Sequence, residues 1–199
     1  MGDERESPEI ALILRCGASD ETRSTGEIRR LARAVTDWSR VFALASRHVV
    51  VPLLARALSL REGELVSDAL SARLRAAAQE GALNSLYLTG ALVEVVRAFS
   101  AAGIDAMPFK GPTLAARVYG NLSLRLYQDL DVLVRRADVA RARTVLASLG
   151  YAPVIAYNEH QRASLMLTGH HEQFARGSGW FFFMPSGSVA PPKLRVPAS

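Results

Sequence analysis

The chain has 199 residues, of which 49% are hydrophobic, and a formal net charge of +5. This composition predicts one large or two small domains, and no apolar run approaches the ~18 residues of a membrane span. The arginines are spread along helical segments without a dense basic block, so a nucleic-acid partner is not indicated. The single cysteine excludes an internal disulfide and, with a charged start that lacks a signal-peptide segment, predicts a reducing, cytoplasmic location.

Helical periodicity dominates the first half of the chain. The predicted helices span residues 8–16, 27–48, 53–60, 64–79 and 80–102. Trp38 is expected to anchor the core, and His48 lies where the helix dipole favours it, at a C-terminus. Gly103 is expected to end the last of these helices as a C-terminal cap.

The period of the hydrophobic pattern changes after Gly103. The predicted strands span residues 104–109, 128–134 and 151–157, and the predicted helices between and after them span 113–119, 139–149 and 158–167. The fold class is therefore α+β, with a helical N-terminal half followed by a small mixed sheet. The predicted organisation is a flexible N-terminus with a short helix (1–26), a helical region (27–102), a sheet core (103–176) and an atypical, disordered tail (177–199).

Two carboxylates on the second predicted strand carry the clearest chemistry in the chain. Asp129 and Asp131 are separated by one apolar residue, and side chains at i and i+2 of a strand point to the same face. Two projecting carboxylates suit Mg²⁺, which takes few protein oxygens and keeps water and substrate phosphates as its other ligands. Because Asp-Leu-Asp is a common sequence, this hypothesis depends on what surrounds it.

Lys110 and Gly111 follow the first predicted strand and precede a predicted helix. A glycine lets the backbone approach a phosphate closely, and the N-terminus of a helix attracts anions. Lys110 is one of two lysines beside 22 arginines, which makes a lysine here notable. A Lys-Gly pair alone is usually only a turn. The order of strand, glycine turn, helix and Asp-x-Asp strand indicates a phosphate-plus-metal site.

Further residues around this layout follow a family pattern. They are Lys110-Gly111, Tyr119, Arg125, Asp129-Leu130-Asp131-Val132-Leu133-Val134 and Gly150-Tyr151, with Trp38, Ala45-Ser46-Arg47-His48 and Val51-Pro52-Leu53-Leu54 upstream. Over residues 10–175 the chain resembles the bacterial uncharacterised nucleotidyltransferase family, within the superfamily typified by DNA polymerase β. The resemblance implies a polymerase β-like nucleotidyltransferase core at 103–176.

The resemblance also implies an activity, the transfer of a nucleoside monophosphate from Mg-NTP to an acceptor hydroxyl. Asp129 and Asp131 would hold two Mg²⁺ ions, or Mn²⁺ in their place. Lys110 and Gly111 would contact the phosphates, although Pro112 removes one N–H donor from this turn. Arg125 either reaches a phosphate or forms a structural bridge with one of the two aspartates. The expected partners are an NTP and an unknown small-molecule or protein acceptor, and no membrane.

The third carboxylate of the family has no counterpart in the sequence. The family places it in a Glu-x-His-Trp strand, and Glu172 precedes the expected strand, so we do not assign it this role. His170 and His171 beside it do not suit zinc, because adjacent residues rarely face one ion. Two functions stay open. The chain is either a nucleotidyltransferase, with full or impaired activity, or a non-catalytic relative that binds a nucleotide or a protein partner.

The end of the chain departs from the family pattern after Phe174. The run Trp180–Met184 either forms a strand or belongs to the tail, and proline, serine and glycine dominate the residues that follow. A truncation or frameshift would produce such an ending, and it would remove the third carboxylate with its strand. A genuinely divergent tail is the alternative.

Overall fold

The computed structural model describes residues 7–17, 25–59, 66–158, 160–161, 172–177 and 179–186. Its fold is α+β, as the sequence predicts, and it divides into two compact units. The first unit comprises residues 1–85 and 118–126, and the second comprises 86–117 and 127–199. The division falls between residues 85 and 86, inside a helix, whereas the sequence places the boundary between 102 and 103.

The helices are α1 (Pro8–Gly17), α2 (Thr25–Ala34), α3 (Trp38–Arg47), α4 (Val51–Ser59), α5 (Asp68–Ala101), α6 (Pro112–Tyr119) and α7 (Val139–Ser148). The strands are β1 (Ala106–Pro108), β2 (Asp129–Arg135), β3 (Ala152–Pro153), β4 (Glu172–Arg176) and β5 (Gly179–Ser186). In the described part of the chain, no helix combines the length and the apolar character that crossing a membrane requires.

The first unit has a helical core built by α1 to α4 and the start of α5. Its fully buried side chains include Leu12, Ile28, Val41 and Leu54. Trp38 packs against this core and is partly buried, as an anchor at the start of α3. His48 is the C-cap residue of α3, at the position that the sequence predicts for it.

The prediction of one helix over residues 27–48 is wrong, because two polar residues break it. The Asp37 carboxylate accepts the backbone N–H of Arg40 at 2.9 Å and so caps α3. The backbone N–H of Thr36 donates to Glu9 Oε1 at 3.3 Å instead of continuing α2. Side chains of this type offer the backbone partners that compete with a helix, so α2 ends at Ala34.

The prediction of two helices over 64–79 and 80–102 is also wrong, because α5 runs unbroken for 34 residues. Gly81 lies within it, and a Cβ at this position would collide with the side chain of Leu126. Tight packing, and not a helix end, therefore explains this glycine. At the other end, the left-handed conformation of Gly103 (φ 67°) closes α5 as predicted.

The second unit contains a five-stranded mixed sheet in the order β1-β2-β5-β4-β3. β2 pairs antiparallel with β1 and parallel with β5, and β4 pairs antiparallel with both β5 and β3. The predicted strand over 151–157 shrinks to β3, two residues long, and the N–H of Val154 adds one further backbone bond to the Gln173 carbonyl at 2.8 Å.

β5 settles the structure of the run Trp180–Met184, which lies within the strand Gly179–Ser186. The sheet thus continues beyond the predicted core limit at residue 176. Of the predicted disordered tail (177–199), residues 179–186 form β5, and residues 187–199 lie outside the described part of the chain, so disorder there stays a prediction. Most of the helix predicted over 158–167 also lies outside them.

Candidate metal and nucleotide site

The alternation of β2 decides where its two aspartates point. Leu130, Val132 and Val134 are fully buried on one face of the strand, which fixes its register in the core. Asp129 and Asp131 therefore project together from the opposite face, as the sequence predicts. Asp131 retains only 7% of its accessible surface, and Asp129 is partly exposed. A buried carboxylate needs a compensating partner.

Lys110 supplies that partner. Its Nζ atom lies 3.4 Å from Asp131 Oδ2, and its side chain is 53% exposed. The chain is held here by the β1–β2 pairing, which the N–H of Phe109 extends by donating to the Asp131 carbonyl oxygen at 3.3 Å. The ammonium also lies 5.1 Å from the centroid of the Phe109 ring, within cation–π range.

Gly111 forms the turn between Lys110 and α6. Its φ of 56° lies in the left-handed region, which disfavours any residue with a side chain. A Cβ at this position would lie 3.5 Å from the Asp129 carbonyl oxygen, so the turn lies against β2. The Gly111 carbonyl accepts the N–H of Ala115 at 3.1 Å and starts α6. The structure thus brings Lys110, Gly111, Asp129 and Asp131 together.

Tyr127 is a supporting residue that the sequence reasoning missed. It is buried, its hydroxyl lies 2.9 Å from Thr89 Oγ1 on α5, and its ring flanks the Gly111 turn. These contacts fix the chain just before β2. The alternation of Tyr127 with Asp129 and Asp131 is the signal that could have identified it.

Arg125 lies in the first unit, whereas the two aspartates lie in the second. Its Nη1 atom is buried and has no hydrogen-bond partner among the described residues. Neither of the two roles considered for it, phosphate contact or a bridge to an aspartate, is tested by these contacts. Both stay predictions.

Glu172 lies on the other face of the sheet. It pairs through Phe183 of β5 with Val132 of β2, whereas Asp131 pairs with Phe182. Paired residues on neighbouring strands share a face, so Glu172 lies on the buried Val132 side. There its Oε2 atom lies 3.3 Å from Arg143 Nε of α7. Glu172 therefore does not project beside Asp129 and Asp131.

The parallel neighbour of β2 offers no third carboxylate either. Trp180 and Phe182 of β5 pair with Asp129 and Asp131, and β5 contains no acidic residue. Within the part of the chain that the structure describes, no three potential metal ligands cluster. Two carboxylates on one face still fit a divalent cation that brings phosphate oxygens and water as its other ligands.

A protein-family model matches the chain over most of its length. Neither a curated protein nor a solved structure matches the chain significantly. The family model described as "Uncharacterised nucleotidyltransferase" matches residues 34–182, about three quarters of the chain. The match extends beyond Phe174, where the sequence suggested that the resemblance ends, and reaches into β5. The chain belongs to the uncharacterised nucleotidyltransferase family.

Proposed function

We propose that this protein transfers a nucleoside monophosphate from a Mg²⁺-bound NTP to an acceptor hydroxyl. One observation carries the proposal: Asp129 and Asp131 share a face of β2 beside the Lys110–Gly111 turn. Carboxylates that hold a divalent cation beside a glycine turn and a cationic side chain suit a bound triphosphate. Membership of the family supports the reaction class.

The residues have distinct tasks in this reaction. Asp129 and Asp131 would hold Mg²⁺, which supplies positive charge that stabilises the attacking and leaving oxygens. Lys110 contacts the triphosphate as a point charge, and Gly111 allows the backbone to approach it. The acceptor oxygen forms a bond to the α-phosphorus, the α–β bridging bond breaks, pyrophosphate leaves, and the acceptor proton passes to water.

A second candidate is nucleotide binding without turnover. It is favoured by one observation, the lack of a third carboxylate beside Asp129 and Asp131 among the described residues. That group usually helps to hold the catalytic ion and to deprotonate the acceptor in the polymerase β-like superfamily. A site with two carboxylates would bind the metal–nucleotide complex and either transfer slowly or not at all.

The two candidates are separated by measuring binding and turnover on the same sample. The full chain is incubated with Mg²⁺ and each of the four α-³²P-labelled NTPs, beside a second member of the family. Pyrophosphate release, label transfer and equilibrium binding are recorded. Binding with transfer supports the enzyme, and binding without it supports the second candidate.

Matched variants connect either result to the site. Asp129→Asn and Asp131→Asn should each weaken Mg·NTP binding, because an amide does not offset the charge of the ion. Asp105→Asn is the control, since Asp105 is a partly exposed carboxylate that pairs at 2.8 Å with Arg135, the last residue of β2. Unchanged affinity in both site variants would refute the assignment.

A further inference from the structure

The cation nearest to the candidate metal position is the protein's own. Lys110 Nζ lies 3.4 Å from Oδ2 of Asp131, one of the two carboxylates that a metal ion at this site would need. We propose that Lys110 makes the site selective for a divalent cation that arrives with a triphosphate, against the same cation free in solution. This inference rests on the proposed function, because it takes Asp129 and Asp131 as the metal-binding carboxylates.

The charge balance explains why a bare cation binds poorly. Two carboxylates and one ammonium leave the cluster with a formal charge of −1. A divalent ion that binds Asp131 must either displace Lys110 or lie a few ångströms from a second positive charge. If the ion displaces Lys110 and the lysine finds no new partner, the ion pair between Lys110 and the buried Asp131 carboxylate is lost. This loss offsets much of the free energy that the ion gains on binding.

A triphosphate changes this balance because it offers Lys110 another partner. The Lys110 side chain is 53% exposed and unbranched, so its head can move while the residues just before it stay in the β1–β2 pairing. It lies directly before the Gly111 turn and the start of α6, where phosphate oxygens are favoured. Lys110 can then exchange Asp131 for a phosphate oxygen while the metal takes the carboxylate, and no charge is left unpaired.

The test uses two probes, MnCl₂ alone and MnCl₂ with inorganic triphosphate. Binding of bare Mn²⁺ to the full chain is followed by the electron paramagnetic resonance signal of the free ion, and binding of the Mn–triphosphate complex by isothermal titration calorimetry, both at the same ionic strength. Lys110→Met should bind bare Mn²⁺ about tenfold more tightly and the Mn–triphosphate complex about tenfold more weakly than the wild type, as expected for one partly exposed charge. Lys110→Gln provides a second variant that keeps a polar head.

Arg135→Met is the matched control. It removes one positive charge from the other end of β2, where Arg135 pairs with Asp105. Both affinities should stay within about twofold of the wild type, because salt screens the interaction between this charge and the candidate site. Opposite changes in the two affinities, specific to Lys110, would support the inference, since a merely structural role would shift both in the same direction.

The failures of the two proposals are distinguishable. If Asp131→Asn weakens Mn–triphosphate binding but the Lys110 variants bind bare Mn²⁺ no more tightly than the wild type, the selectivity role is wrong and the metal site survives. If neither Asp129→Asn nor Asp131→Asn affects binding, the proposed function itself fails.

Discussion

The two faces of the sheet each carry a buried, ion-paired carboxylate, yet their surroundings differ. Asp131 and Glu172 keep 7% and 5% of their accessible surface, and each lies within 3.4 Å of a basic side chain. The partner of Asp131 is a half-exposed lysine beside a glycine turn. The partner of Glu172 is Arg143 of α7, which is only 25% exposed.

This contrast shows that burial and an ion pair do not identify a binding site. The face of Glu172 is filled by apolar side chains of β2 and lies under α7, so its ion pair is part of the packing. The face of Asp131 carries a second carboxylate two residues away, and the cation beside Asp131 is the half-exposed Lys110. Perturbing each face should therefore give different readouts, stability for one and ligand affinity for the other.

The largest effect on stability should come from the helix-covered face. Leu146 is fully buried on α7, which packs against β2. Leu146→Ala should lower the free energy of unfolding by about 2–5 kcal/mol, because it leaves a cavity. Leu133→Ala on the opposite face is the matched control, since Leu133 is only partly buried and should cost less. Denaturant unfolding measures both, and equal losses would contradict the assignment of the faces.

The ion pair between Arg143 and Glu172 should give a smaller effect. Arg143→Met leaves a buried carboxylate without its cation and should cost about 1–3 kcal/mol of stability. The double variant Arg143→Met/Glu172→Met should recover most of that loss, because no charge then remains buried. Mn–triphosphate affinity should stay within about twofold in the double variant. A large loss of affinity would instead connect Glu172 to the candidate site.

A third buried carboxylate, Glu9 in the first unit, is stabilised by neutral donors. Hydrogen bonds from its own backbone N–H and then from Ser7 lower the pKa of Glu9 from 4.5 to about 2, against the opposing effect of burial. A lowered pKa stabilises the fold above about pH 4.5, and this stabilisation is lost as the pH falls towards 2.

Glu9→Gln should remove this acid dependence. It should lower stability at pH 7 by about 1–2 kcal/mol, the range for weakened buried hydrogen bonds, and flatten the stability profile between pH 4.5 and 2. Thermal unfolding across this pH range measures both effects. If the variant loses stability between pH 4.5 and 2 as steeply as the wild type, Glu9 is not the cause of the acid dependence.

The sequence predicts the parts of the site that depend on local periodicity. The alternation around Leu130 places Asp129 and Asp131 on one face, and the strand, glycine and helix order places Lys110 and Gly111 beside them. The face of Glu172 follows instead from the register of β4 on β5, a pairing between distant segments that local pattern does not reveal. The same holds for the ion pair of Lys110 with Asp131.

Two predictions of helix boundaries were wrong, and contacts between distant residues contribute to the difference. The polar residues Thr36 and Asp37 end one helix and start the next through contacts that include Glu9, 27 residues away from Thr36 in the chain. Gly81 favours a break by its low helix propensity, but the packing of Leu126 against it makes a glycine the residue that fits. The contacts of Glu9 with Thr36 and of Leu126 with Gly81 join residues that are distant in the chain, so local pattern could not reveal them.

We propose that a metal–triphosphate complex binds the Asp131 face of the sheet and not the Glu172 face. The most direct measurement compares the affinity of Asp131→Asn and Glu172→Gln for Mg-NTP, with circular dichroism to establish that both are folded. We expect Asp131→Asn to lose about 100-fold in affinity, because one of two charged ligands is gone, and Glu172→Gln to stay within about threefold. Equal losses in the two variants, or no loss in Asp131→Asn, would contradict the account.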